Sequence, residues 1–272
     1  MDQISLQAKI IDNITETLKK YKSVIGVVLR GSHVRNENSP FSDIDMIAFF
    51  DSDQRLCLKK IYNDISKIKP VLVTLYLIYN NNCLFLYENG VCVDLVVNGP
   101  SKLKDWDLTD SKILYDPKGI VNKKIGQPED NVSKPDKPRW NQNEGVFEDW
   151  FFWMFRSAYC CALQANLKPQ KQFEKLNQAN ESINLSRGKL LDTYYYIKGK
   201  KDYLNKTNSV LEQKLICTYP SFNVKSMLKA VDALVEIYEI IISEYCIKEN
   251  IVFPIGKLNI MKKLLGEFRK AR

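Results

Sequence analysis

Asp43-Ile44-Asp45 places two carboxylates one residue apart at the head of an apolar run ending at Phe50. Side chains alternate along an extended strand, so Asp43 and Asp45 share a face. Two like charges about 4 Å apart repel by about 1 kcal/mol in water and about 4 kcal/mol at an effective dielectric of 20. A divalent cation between them relieves that cost, and hard ions such as Mg²⁺ take carboxylate oxygen together with substrate phosphate. Asp94 is the one charged residue in Val91-Cys92-Val93-Asp94-Leu95-Val96-Val97. A carboxylate in so apolar a strand is costly unless paired or metal-bound. If the two strands are neighbours, three acids converge, which suits two-metal phosphoryl or nucleotidyl transfer.

A second group lies just upstream, with ten residues separating Ser32 from Asp43. Gly31 permits a sharp turn after a short apolar run. Ser32 then offers a hydroxyl and an amide at a predicted helix N-terminus, where phosphate binds well. Arg35 adds positive charge one turn on. Asp51-Ser52-Asp53 repeats the acid spacing, but it follows the strand and precedes a helix, so it reads as a loop with an N-cap.

The elements that must position these groups are legible as periodicities. Gln3 to Lys20 carries apolar residues at Ile4, Ala8, Ile11, Ile14 and Leu18, which is helical spacing. Val24–Leu29, Asp43–Phe50, Val71–Ile78, Leu84–Tyr87 and Val91–Val97 read as strands, and Leu56–Ile68 as a helix. Asn89-Gly90 is a hairpin signal. From Val121 to Asn143 the composition shifts to Pro128, Pro135 and Pro138 among lysines, as in a linker. Beyond it the pattern is helical throughout, with an aromatic run at Trp150, Phe151, Phe152, Trp153, Phe155 and Tyr159. In Val224–Tyr245 the stripe Met227, Leu228, Val231, Leu234, Val235, Tyr238, Ile241, Ile242 and Tyr245 marks a core face. The expected class is α+β: a mixed sheet flanked by helices in residues 1–122, a linker at 123–143, and a helical bundle at 144–272.

Bulk properties exclude several functions. The chain has 272 residues, seven cysteines in irregular spacing and a single histidine, His33. That argues against a structural zinc site and against a Ser-His-Asp hydrolase. No apolar run is long enough for a membrane span, and the N-terminus lacks a cleavable leader pattern. With unpaired thiols, this reads as a cytoplasmic protein without a membrane partner. The net charge of +8 fits a polyanionic partner or simply a lysine-rich chain, and the lysines are scattered.

The Gly31-Ser32 turn, the Asp43-Ile44-Asp45 strand and the later Asp94 together resemble the nucleotidyltransferase superfamily of the DNA polymerase β type. Phe41-Ser42-Asp43-Ile44-Asp45 and Ile113-Leu114-Tyr115-Asp116-Pro117-Lys118-Gly119, followed by a helical domain, look like the bacterial aminoglycoside and lincosamide nucleotidyltransferases. The resemblance implies that a substrate hydroxyl attacks the α-phosphorus of ATP or another nucleoside triphosphate and pyrophosphate leaves. It implies two Mg²⁺ ions on Asp43, Asp45 and Asp94, with Ser32 on the β- or γ-phosphate and Gly31 and Arg35 completing the nucleotide site. It implies a general base from the helical domain, with Glu148 the leading candidate and Glu144, Asp149 and Asp94 as alternatives. The acceptor it implies is a small hydroxyl-bearing antibiotic, and it implies paired subunits, a homodimer. The alternatives are transfer to tRNA or a protein, as in toxin-like members, or a nucleotide-binding module without chemistry. Arg30 departs from the aromatic or apolar residue usual before the glycine, and the positive charge sits awkwardly with a polycationic aminoglycoside.

Overall fold

The computed structural model describes residues 2–52, 58–77, 81–106, 108, 110–124, 147–198 and 209–270. The residues form two compact units, Met1–Asp149 and Trp150–Arg272. Residues 125–143, most of the expected linker, lie outside the described residues, as do Ile78 and Asp53.

The first unit is a six-stranded mixed sheet in the order β3-β4-β5-β2-β1-β6. Its strands are β1 (Val24–Arg30), β2 (Ile44–Phe50), β3 (Val71–Leu77), β4 (Asn82–Tyr87), β5 (Cys92–Asn98) and β6 (Lys112–Tyr115). All pairs are antiparallel except β2 with β5, which run parallel at the centre. The hairpin from β4 to β5 turns at Asn89-Gly90, where Gly90 holds φ +83° and the Asn89 side chain accepts from the Val91 amide. Strand β6 was not expected. It has four residues, none of them buried, so it gives no alternating signal, and it closes the edge beside β1.

The two faces of the sheet are unequal. One face joins Val27, Leu29, Met46, Ala48, Phe50, Phe85, Val93 and Leu95 to helices α1 (Gln3–Lys19) and α2 (Leu58–Ser66) in a deep core. The other carries a thinner cluster of Ile25, Val28, Ile47 and Phe49 against Leu103, Leu108 and Val121, the last from helix α3 (Ile120–Lys124). Asp45 shares the parity of Ile47 and Phe49, so it emerges on the thin face.

Helix α1 corrects the expected stripe. Ile4 and Ala8 are exposed, and the buried face is Gln7, Ile10, Ile11, Ile14, Thr15 and Leu18. A glutamine therefore occupies a core position that apolar periodicity had passed over.

The second unit consists of α4 (Phe147–Leu167), α5 (Gln172–Lys198), α6 (Ser209–Cys217), α7 (Val224–Glu249) and α8 (Ile255–Lys270). Asn223 caps α7 by accepting from the Ser226 amide, and Asn250 closes it in the left-handed conformation. The α7 stripe is buried as expected, except that Tyr245 is half-exposed. Tyr238 takes three rings of α4, Phe151, Phe152 and Phe155, at centroid distances of 5.2, 5.4 and 5.7 Å. Arg156 on α4 is also buried. No described helix is long and apolar enough to cross a membrane.

Candidate active site

Parallel pairing of β2 with β5 sets Asp45 directly beside Asp94. Neighbouring strands lie about 4.8 Å apart and in-register residues point to the same face, so the two carboxylates stand side by side. Asp43 precedes β2 by one residue, and its charge raises the pKa of both neighbours. All three acids are partly exposed. Among the described residues, no three His, Cys, Asp or Glu side chains are drawn to one point as a closed cage. The arrangement is an open carboxylate pair with a third acid at its edge.

That pair is electrostatically costly. Burial pushes the Asp45 carboxyl up to about 7, with Asp43 and Asp94 adding to the rise and Arg30 and Arg35 opposing it. Burial likewise lifts Asp94 to about 6, against a hydrogen bond donated by Asn82, with Asp43 raising it and Arg30 lowering it. Asp94 Oδ1 is buried and has no hydrogen-bond partner among the described residues. A buried carboxylate oxygen left open beside a second carboxylate is a donor set that fits a hard divalent ion. Mg²⁺ commonly takes one or two carboxylates and completes its shell with water and phosphate.

The Gly-Ser pair lies at the end of β1. Arg30, its last residue, is the register partner of Asp45. Gly31 follows at φ +72°, and a Cβ there would collide with Asp45 Oδ2. Gly31 thus provides both the left-handed turn and the room for the carboxylate. The expected helix after Ser32 is only a 3-10 turn, Gly31–His33, so no helix dipole is available there. Its closure is seen in the Val34 and Arg35 amides, which donate to Gly31 O at 3.2 and 3.4 Å. Arg35 is exposed and ion-paired to Glu37 at 3.4 Å.

A cleft of about 360 Å³ joins these groups, lined by Arg30, Gly31, Arg35, Asp45, Asp94 and Trp106 among others. Two residues that act on the carboxylate pair, Arg30 in the cleft and Asn82 on β4, carry no motif. Arg30 lies 4.9 Å from the Trp106 ring centroid, a cation–π contact that holds the guanidinium over the thin face. Asn82 reads in sequence as part of a turn-forming asparagine run, yet it starts β4 and donates to Asp94. Only the pairing of β4 with β5 reveals that role, and pairing is not written locally.

Residues 11–102 match the family model described as a nucleotidyltransferase domain. The chain carries a nucleotidyltransferase domain. The match spans the 3-10 turn, Asp43, Asp45 and Asp94, so the acid side of the cleft falls within it while Trp106 lies just beyond, and the chain is an enzyme of the nucleotidyltransferase class. A crystal structure of an aminoglycoside 6-adenyltransferase from Bacillus subtilis aligns over 97% of this chain and 98% of its own, at 11% identity and a TM-score of 0.32. At those values the likeness carries no argument about the acceptor. No curated protein matches the chain.

The base expected from the helical region falls mostly outside the described residues. Glu144 lies outside the described residues, and so does the side chain of Glu148, whose backbone is in the first turn of α4. Asp149 is buried and its Oδ2 accepts from the Thr74 amide at 3.3 Å.

Proposed function

We propose that the nucleotidyltransferase domain moves AMP from ATP onto a hydroxyl of a small molecule, an antibiotic of the aminoglycoside or lincosamide kind, releasing pyrophosphate. The observation that carries this reading is the in-register Asp45–Asp94 pair, with an open oxygen on Asp94, facing a cleft that also holds two arginines. Asp43, Asp45 and Asp94 are the residues that would hold divalent ions. A bound Mg²⁺ pair would supply neutralisation of the triphosphate charge and a Lewis acid at the α-phosphate.

The chain's own groups do the rest. Ser32 and Arg35 bind the polyphosphate tail, and Arg30 offers further charge-assisted donors from its perch on Trp106. Asp94, beside the reacting centre, takes the proton as the acceptor oxygen bonds to the α-phosphorus and the bond to pyrophosphate breaks. Asp149 accepts from the Thr74 amide, and Glu148 and Glu144 stay as the alternative bases from the helical region. The helical unit is the acceptor-binding domain on this reading, and paired subunits complete its pocket.

A second reading, transfer to tRNA, draws on a cleft of about 490 Å³ between α1 and α2, lined by Lys20, Lys60 and a Lys67 that is ion-paired to Asp64. The test is incubation with Mg²⁺ and ATP labelled at the α-phosphate, with separate pools of aminoglycosides, lincosamides and tRNA. Label on one antibiotic pool supports the first reading, label on tRNA alone replaces it with the second, and label nowhere leaves a binding module.

A further inference from the structure

Gln7 has no place in any motif, and it lies ahead of the matched residues 11–102. It is fully buried in α1, with 0% exposure. Its Nε2 lies 3.2 Å from Ser39 O, 3.4 Å from Pro40 O and 3.1 Å from Ser42 O, so one amide serves three carbonyls of a single loop. That loop is itself a closed turn. The Ser42 amide donates to Ser39 O at 3.0 Å, the Ser39 amide donates to Ser42 Oγ at 2.9 Å, and the Phe41 amide donates to Ser39 Oγ at 3.3 Å.

The loop ends at Asp43. The peptide unit is planar, so fixing the Ser42 carbonyl fixes the plane that carries the Asp43 amide and Cα. Gln7 Oε1, meanwhile, is buried with no partner among the described residues. A buried acceptor left open costs free energy, and a leucine or methionine would fill the position without that cost. The fold tolerates the penalty at an α1 side chain that grips the loop leading into the acid cluster.

We infer that Gln7 is a positioning residue for the metal-binding acids: it holds the Ser39–Ser42 loop so that Asp43 joins Asp45 and Asp94. The inference rests on the reading of those three acids as ion ligands. It makes α1 part of the site's construction, and not only a cover for the core.

The experiment compares the full chain with Gln7→Met, which keeps length and apolar volume and loses the donors. Binding of Mn²⁺ alone is followed by electron paramagnetic resonance, alongside thermal unfolding without metal. Loss of a buried hydrogen-bond set of this size weakens Mn²⁺ binding about tenfold, and the KM for the metal–ATP complex rises more than kcat falls. A lowered unfolding midpoint with parent-like Mn²⁺ binding overturns the inference, because a merely structural glutamine would do just that. If Gln7→Met does not fold, Ser42→Ala opens the same loop from its other side. Weaker Mn²⁺ binding there supports the inference, and parent-like binding overturns it. Asp43→Asn separates the two levels: parent-like Mn²⁺ binding in that variant removes the reading of the acids themselves, whereas loss there with none in Gln7→Met removes only the role of Gln7.

Discussion

Gly31→Ala and Gly119→Ala form a matched pair that isolates one contact. Both glycines hold positive φ, +72° and +65°. Alanine in that region costs roughly 1–2 kcal/mol, so both variants should lose stability by that amount. Around Gly119 nothing lies within 4 Å of the added Cβ, and strain is the whole effect. At Gly31 the Cβ meets Asp45 Oδ2 and sits 3.3 Å from Asp45 Cγ. Either the turn or the carboxylate must move. A displacement of about 1 Å at a reacting group can cost on the order of 10²-fold in rate. Urea unfolding would measure the shared strain, and Mg²⁺-dependent label transfer from ATP would measure the site. The expected result is similar unfolding free energies with an activity gap of about 10²-fold. Activity in Gly31→Ala within about threefold of Gly119→Ala would refute the idea that Gly31 makes room for a working Asp45.

The acid pair predicts an inverted pH dependence. Asp45 and Asp94 bind protons more tightly folded than unfolded, near 7 and 6 against 3.8. The metal-free protein should therefore lose stability as pH rises from about 4 to 7, and Asp45→Asn should flatten that slope and gain about 1–2 kcal/mol at pH 8, read by thermal unfolding at each pH. Mg²⁺ should restore stability above pH 7 by about 2.7 kcal/mol at a hundredfold excess over its dissociation constant, and Asp45→Asn with Asp94→Asn should abolish the gain. Arg30→Met removes a charge that lowers both carboxyls, so the pH at which Mg²⁺ binding is half-lost should move upward, as followed by Mg²⁺ titration across pH. Trp106→Leu should raise the KM for ATP severalfold while costing stability about 1 kcal/mol, the worth of its contact with Arg30.

The local parts of the site were legible, and the non-local parts were not. Strict apolar runs around β1, β2 and β5 gave away the central strands, although the second strand, expected from Asp43, begins at Ile44, so strand alternation covers Asp45 and not Asp43. That β5 lies parallel beside β2, with Asp94 against Asp45, depends on a crossover through α2, β3 and β4 that no short window contains. Gln7 escaped notice because a polar residue at a core position breaks the stripe that helical periodicity detects, and its partners are more than thirty residues away. Ser32 suggested a helix start, but the chain makes one 3-10 turn there and continues into a loop with Asn36 at φ +54°. Trp106 follows a short 3-10 segment, Pro100–Asp105, and only the folded sheet brings it over Arg30.

Crystals soaked with Mn²⁺ and a non-cleavable ATP analogue test the central claim most directly, because manganese can be located by its anomalous scattering. The account requires a manganese peak bridging the Asp45 and Asp94 carboxylates and the triphosphate. An analogue seated in the cleft with no manganese against either carboxylate would contradict it.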